Sequence, residues 1–250
     1  MPAPTFVTEL LGFRETKAGK PTTLPNIADS ASGTSVKISH AIMGDLGAAR
    51  LVPYVENSGA LFEERMRSYI LAELTRLEPR KQWTVDRRIL ANFEQYAHLA
   101  RLQALINADE SGVLAVEIGS DYVIAPDVTV SLPGIRDPER RMLHAAVSCK
   151  WTLRSDRAQN VRHEAVMMIR HRRGRLPHIV AVTMEPMPTR IAALATGTGE
   201  VDMVFHPAFD ELNDAVQNVG SARQKFALTE MVSQDRLFPL GQLPAILVGT

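Results

Sequence analysis

Cysteine is nearly absent: Cys149 stands alone in 250 residues, so no intrachain disulfide can form, and no paired Cys/His cluster has the spacing of a zinc site. That usage suits a reducing cytoplasm. Net charge is absent too, with 28 Lys and Arg against 28 Asp and Glu, so any basic footprint has to be local. No apolar run approaches the length of a membrane span. Glu9, Gly12, Arg14 and Glu15 interrupt the N-terminal apolar stretch where a secretory signal would need continuity. No internal repeat is evident. The expectation is a soluble, unprocessed, cytoplasmic protein with no membrane partner. A 45% hydrophobic and 22% charged composition excludes disorder and collagen-like repetition, and residues 1–250 are expected to form a single domain around one core.

Residues 2–35 are rich in Pro, Thr, Ser and Gly and read as an extended N-terminal arm or loop rather than core. Helical spacing begins near Ser35 with Val36, Ile42, Met43 and Leu46. It returns after Ser58 with Phe62, Met66, Tyr69, Ile70 and Leu77, until Pro79 ends it. A third helix is expected over 88–106, where Leu90, Phe93, Ala97, Ala100 and Ala104 share one side. Residues 113–118, 122–130 and 143–151 are short apolar or alternating runs that read as strands, the last two paired antiparallel. Helical spacing resumes after Ser155 at Val161, Ala165, Met168 and Ile169 and ends near Gly174. Strands are expected over 178–184 and 200–205, helices over 207–219 and 221–234. This order predicts an α/β fold with a mixed central sheet flanked by helices.

The chemistry concentrates where Pro126-Asp127 is followed, 23 residues after the aspartate, by Lys150 in Val147-Ser148-Cys149-Lys150. If the two strands pair, Asp127 and Lys150 meet at one end of the sheet. A carboxylate beside an ammonium could hold Mg²⁺ and orient a water, which phosphodiester hydrolysis requires; an ordinary surface ion pair is the plainer alternative. The next residues place Arg154, Asp156 and Arg157 at the start of a helix. Arginine can bind guanine O6 and N7 bidentately and aspartate can accept from cytosine N4, so the trio suits G·C pairs read in the major groove. A surface helix start with local ion pairs has the same sequence. Between Lys150 and Arg175, eight basic residues face two acidic ones, a local charge of plus six that suits either phosphate contact or a solvated helix face. Cys149 reads as a small buried residue rather than a nucleophile. Gly197-Thr-Gly199 reads as a turn rather than a phosphate loop, and Met167, Met168, Met184 and Met187 read as core or interface.

Asp127 with Ser148-Cys149-Lys150, then Arg154-Ser155-Asp156-Arg157 and Glu164, resembles the type II restriction endonucleases that cut sites containing CCGG, within the PD-(D/E)xK nuclease superfamily. Pro177-His178-Ile179-Val180, Glu185-Pro-Met-Pro-Thr-Arg190 and Gly197-Thr-Gly199 extend the likeness, which is dense from about Tyr122 to Phe205 and fainter at Ser58-Gly59-Ala-Leu-Phe62-Glu63. The resemblance implies a restriction-endonuclease-like core, with catalysis and DNA reading over about 113–205. Position 148 holds serine where the usual nuclease pattern has an acid, and the resemblance assigns the missing carboxylate to Glu164 on the following helix. It adds Glu63 from an early helix. The implied catalytic residues are Asp127, Lys150, Glu164 and Glu63, and the implied ligands of two Mg²⁺ ions are Asp127, Glu164, Ser148 and the Cys149 carbonyl.

Arg154, Asp156 and Arg157 match the family's readers of CCGG, and Arg190 matches an outer-pair reader, with Asp29 as a further candidate. Together they imply cleavage of double-stranded DNA at G^CCGGC with a four-base 5′ overhang. The chain departs from the family at Glu56, where a glutamine is usual, because a carboxylate cannot donate hydrogen bonds and is repelled by phosphates. Glu56 could bind metal, pair with a basic side chain or turn outward, with Asn57 taking over the polar contact. A palindrome presents two equivalent strands, so a two-fold dimer is the minimum assembly. The resemblance implies a homotetramer of two such dimers and a companion DNA methyltransferase in the host. Two rival classes use the same core: a structure-specific repair or RNA nuclease, and a catalytically inactive DNA-binding relative.

Overall fold

The computed structural model describes residues 2–53, 58–118, 124–137, 139–197 and 199–249. Helix α1 (Thr5–Leu10) precedes a small sheet of β1 (Phe13–Glu15), β2 (Pro21–Pro25) and β3 (Leu51–Val52), with α2 (Gly33–Asp45) inserted before β3. Helix α3 (Ser58–Leu77), strand β4 (Thr84–Asp86) and helices α4 (Leu99–Asn107) and α5 (Val113–Ile118) lead to β5 (Val128–Pro133) and β6 (Arg141–Lys150). Helix α6 (Ser155–His171) connects β6 to β7 (His178–Thr183). After these come α7 (Pro188–Ala195), β8 (Met203–His206), α8 (Phe209–Val219), α9 (Ala222–Ser233), β9 (Leu237–Pro239) and α10 (Leu243–Val248).

The central sheet runs β4-β5-β6-β7-β8-β9. The first three strands are antiparallel neighbours and β6 to β9 are parallel, which makes the mixed sheet flanked by helices that the order of elements predicts. Strand β6 is buried from Met142 to Cys149, as a strand covered on both faces must be, and its apolar run is continuous apart from His144 and Ser148. Phe62, Met66, Ile70 and Leu74 recur every four residues along α3, all fully buried, and this stripe lays the helix against β4, β5 and β6. Helix α6 buries Ala158, Val161, Ala165 and Met168 on one side, with Asp156 in its first turn and Arg170 and His171 in its last, so its charges complement the helix dipole.

Four sequence expectations change. Residues 113–118 are helical, because Asp109 accepts from Ser111 N and Leu114 N and so caps a helical turn, while Val113 and Val116 are exposed and pair with no strand among the described residues. The expected strand over 122–130 starts only at Val128; Tyr122 lies outside the described residues, as do Glu56, Asn57 and Thr198. The expected helix over 88–106 breaks into two short 3₁₀ turns before α4. Its middle is a tertiary plug: the Gln95 side chain both donates to Leu143 O at 2.7 Å and accepts from Leu143 N at 2.9 Å, and Tyr96 Oη donates to Met168 O at 3.1 Å. Those bonds require side chains aimed at the sheet rather than a regular helical face. Finally, residues 2–35 are not a loose arm, since Phe6, Val7, Leu11, Ile27 and Ala28 join the core and Asn26 Nδ2 ties back to Leu10 O at 2.7 Å.

Two buried histidines carry a pH signature. His144 Nε2 pairs with Leu247 O at 2.7 Å and His206 Nδ1 accepts from Ala208 N at 3.2 Å, and burial pushes both rings down to about 4. The unfolded chain protonates near 6.5, so the stability each neutral ring contributes is complete above that pH and is lost as the pH falls towards 4. The thermal midpoint should therefore drop between pH 7 and pH 5, and more shallowly in His206→Asn, whose amide oxygen can replace Nδ1 as acceptor. An equal slope in the variant would remove His206 from this account.

Candidate functional site

Asp127 stands one residue before β5, and the antiparallel pairing of Val128 with Val147 carries it to the C-terminal end of β6. There its Oδ2 accepts from Cys149 N at 2.8 Å and from Lys150 Nζ at 2.6 Å, while Oδ1 takes part in neither bond. A carboxylate gripped by a main-chain N–H and an ammonium is a charge-assisted arrangement that fixes both side chains. Ser148 and Lys150 share one face of β6 by the two-residue period of a strand.

Two further carboxylates approach from helices. Glu164 follows Val161 by three residues and so borders the buried stripe of α6; burial raises its pKa, with the charge of Lys150 opposing and that of Asp127 adding. Glu63, in the second turn of α3, is raised by burial and then by Asp127, and Arg87 lies 3.5 Å away from it. The structure thus brings Asp127, Lys150, Glu164 and Glu63 to one region. Glu63, Arg87, Lys150, Arg157, Asn160 and Glu164 line a cleft of about 760 Å³. Cys149 is buried and burial pushes its thiol well above the ordinary range, which removes it as a nucleophile.

No group of three His, Cys, Asp or Glu side chains among the described residues forms a metal cage by itself. The oxygen donors of this region are hard ones, the carboxylates of Asp127 and Glu164, and the Ser148 hydroxyl and Cys149 carbonyl belong to the same end of β6. That set suits Mg²⁺, which binds through one or two carboxylates and keeps water and phosphate for the rest of its shell, and it does not suit zinc.

A second cavity, of about 550 Å³, is lined by Asp29, Arg154, Asp156 and Arg190. Arg14, Thr152 and Arg154 line both spaces, so the two are adjacent. Arg190 is ion-paired to Asp29, and this hydrogen bond holds the Asp29 carboxyl below its usual range. Arg157 lies on the side of the larger cleft, its Nη1 donating to Thr152 O at 3.3 Å. Arg154, Asp156 and Arg157 are all exposed at the start of α6, and among the described residues no ion pair joins either arginine to Asp156. Arg162, counted in the local positive charge, is instead bound to Glu200 at 2.6 Å.

Two residues lining these cavities carry no sequence signal: Arg14 sits in the segment read as an arm, and Arg87 just before the expected third helix. A third residue, Glu185, falls within the family likeness but has no role there. Glu185 is fully buried, accepts from Leu153 N at 2.8 Å and from Met187 N at 3.2 Å, and lies 3.7 Å from Arg190. Burial pushes its carboxyl up to about 7.

A family model described as NgoMIV restriction enzyme matches residues 13–141 and 136–248. The type II restriction enzyme NgoMIV of Neisseria gonorrhoeae is 37% identical over 221 residues, covering 76% of this chain and 77% of that protein. Among solved structures, a pre-specific complex of restriction endonuclease BsaWI with DNA aligns over 60% of this chain and 52% of the other, with a TM-score of 0.33 and 16% identity.

A raised carboxylate pKa means that the ionised group destabilises the folded state at neutral pH. Glu164→Gln should therefore raise the thermal midpoint in metal-free buffer. An unchanged or lowered midpoint would show that Glu164 is not held in an unfavourable field.

Proposed function

The chain belongs to the NgoMIV restriction enzyme family and is a type II restriction endonuclease, and we propose that it cuts double-stranded DNA at G^CCGGC, leaving a four-base 5′ overhang. The observation that carries this reading is the adjacency of two unlike spaces. A carboxylate–lysine cleft and an arginine–aspartate cavity share Arg14, Thr152 and Arg154.

In the cleft, Asp127, Glu164, Ser148 and the Cys149 carbonyl would hold Mg²⁺, one or two ions per site. When bound, the metal supplies charge stabilisation at the scissile phosphate and makes water a better nucleophile. The protein's own part is positional. Lys150, an ammonium held against Asp127 at 2.6 Å, positions the attacking water, and its positive charge helps that water give up its proton. Glu63 assists from α3, and Arg87 offers its guanidinium to the phosphates.

Arg154 in the cavity and Arg157 on the side of the cleft donate to the guanines of CCGG, and Asp156 accepts from a cytosine amino group. Arg190 and Asp29, already in contact, suit the two halves of the outer G·C pair, donor to guanine and acceptor from cytosine. The two-fold target calls for a homodimer, and pairing of dimers into a homotetramer acting on two sites extends the reading. A companion methyltransferase would protect host sites without contacting this protein. No helix among the described residues is long and apolar enough to cross a membrane.

Purified protein with Mg²⁺ should cut plasmids carrying GCCGGC at that hexamer, fastest when two sites are present, and chelation with EDTA should stop it. Lys150→Ala should bind the same DNA without cutting. Full activity of that variant would reject the assignment of Lys150, and ends mapping outside CCGG would reject the target. Arg157→Ala should lose about 1–3 kcal/mol of discrimination at one core position, and normal cutting of CCGG by that variant would reject direct readout through Arg157.

A further inference from the structure

Two of the three base-reading arginines stand beside different helix starts. Arg154 is the N-cap of α6, and Arg190 lies in the first turn of α7, whose N-cap is Met187. One buried carboxylate joins the two starts. Glu185 Oε2 accepts from Leu153 N, next to Arg154, and Glu185 Oε1 accepts from Met187 N, with Arg190 Nη1 at 3.7 Å from the same oxygen. The main chain of Glu185 is itself anchored, its N–H donating to Thr183 Oγ1 at 3.1 Å, and Thr183 pairs in register with Lys150 on β6. Gln224 of α9 clamps the outer side of α7, accepting from Thr189 N and donating to Thr189 Oγ1, both at 3.0 Å.

We propose that Glu185 is a positioning residue for sequence discrimination: its two oxygens set the separation of Arg154 and Arg190, and its main chain sets that pair of readers against the strand end bearing Lys150. The proposal rests on the reading of Arg190 as the outer-pair reader. It needs both oxygens as acceptors, because two N–H groups face them and an unpaired buried donor is costly. The raised carboxyl of Glu185 agrees with a group held in place by geometry against its own desolvation.

Glu185→Gln keeps the shape but replaces one acceptor with a donor, turned toward an N–H. The experiment compares cleavage of GCCGGC with DNA altered only in the outer pair and with DNA altered only inside CCGG, for the unaltered protein, E185Q and R190A. Discrimination at the outer pair should fall about tenfold in E185Q, within the range that one misplaced bidentate contact commands. The loss should appear in KM and in the outer-pair ratio more than in kcat, a split that general loosening of the fold would not give. Unchanged outer-pair discrimination in E185Q, alongside its collapse in R190A, would overturn the role of Glu185 alone. An unchanged ratio in R190A would overturn the reading of Arg190 on which the proposal stands. If E185Q does not fold, hydrogen exchange in the unaltered protein decides. Slow exchange at both Leu153 and Met187 amides supports the bridge, and exchange as fast as in an exposed loop overturns it.

Discussion

The Asp127 carboxylate takes the Cys149 N–H and the Lys150 ammonium on a single oxygen, just past the last rung of the β5–β6 ladder. Everything chemical in the larger cleft is referred to that point. An antiparallel partner brings Asp127 in from one side, a parallel partner brings Thr183 and then Glu185 in from the other, and β6 between them is too buried to shift its register without moving every side chain to the wrong face. Mixed strand direction is therefore a condition of the site, since a strand end can be flanked by both a chain arriving and a chain leaving only where the direction changes.

Electrostatics follow from the same crowding. Three carboxylates share a region with one lysine and Arg87, and the two on helices are raised by burial. In the neighbouring cavity three arginines stand against two aspartates, and two of those arginines, Arg14 and Arg154, also line the cleft. The zero net charge of the chain hides this local concentration of charge. A phosphodiester needs both environments at once, cations to hold the backbone and oxygens to hold a metal, within a few residues of each other.

How much of this could be read from the residues alone depended on whether the signal was local. Strands β6 and β7 announce themselves by continuous apolar runs, α3 and α6 by their buried stripes, and the meeting of Asp127 with Lys150 follows once two adjacent runs are taken as paired. Residues 113–118 defeat such reading because a short apolar run looks alike in both states, and the deciding cap, Asp109, lies outside it. Gln95 and Tyr96 override helical spacing through partners 48 and 72 residues away. Arg14 and Arg87 reach the cavities by tertiary placement, for which no motif exists.

The position of the lone cysteine has a practical side. Cys149 is 2% exposed at the penultimate position of β6, where the strand end borders the larger cleft, and burial pushes its thiol upward. Air oxidation and alkylating reagents are slowed by that burial. A thiol-reactive dye therefore clocks how often the end of β6 loosens beside the cleft, and a ligand filling the cleft should slow it further.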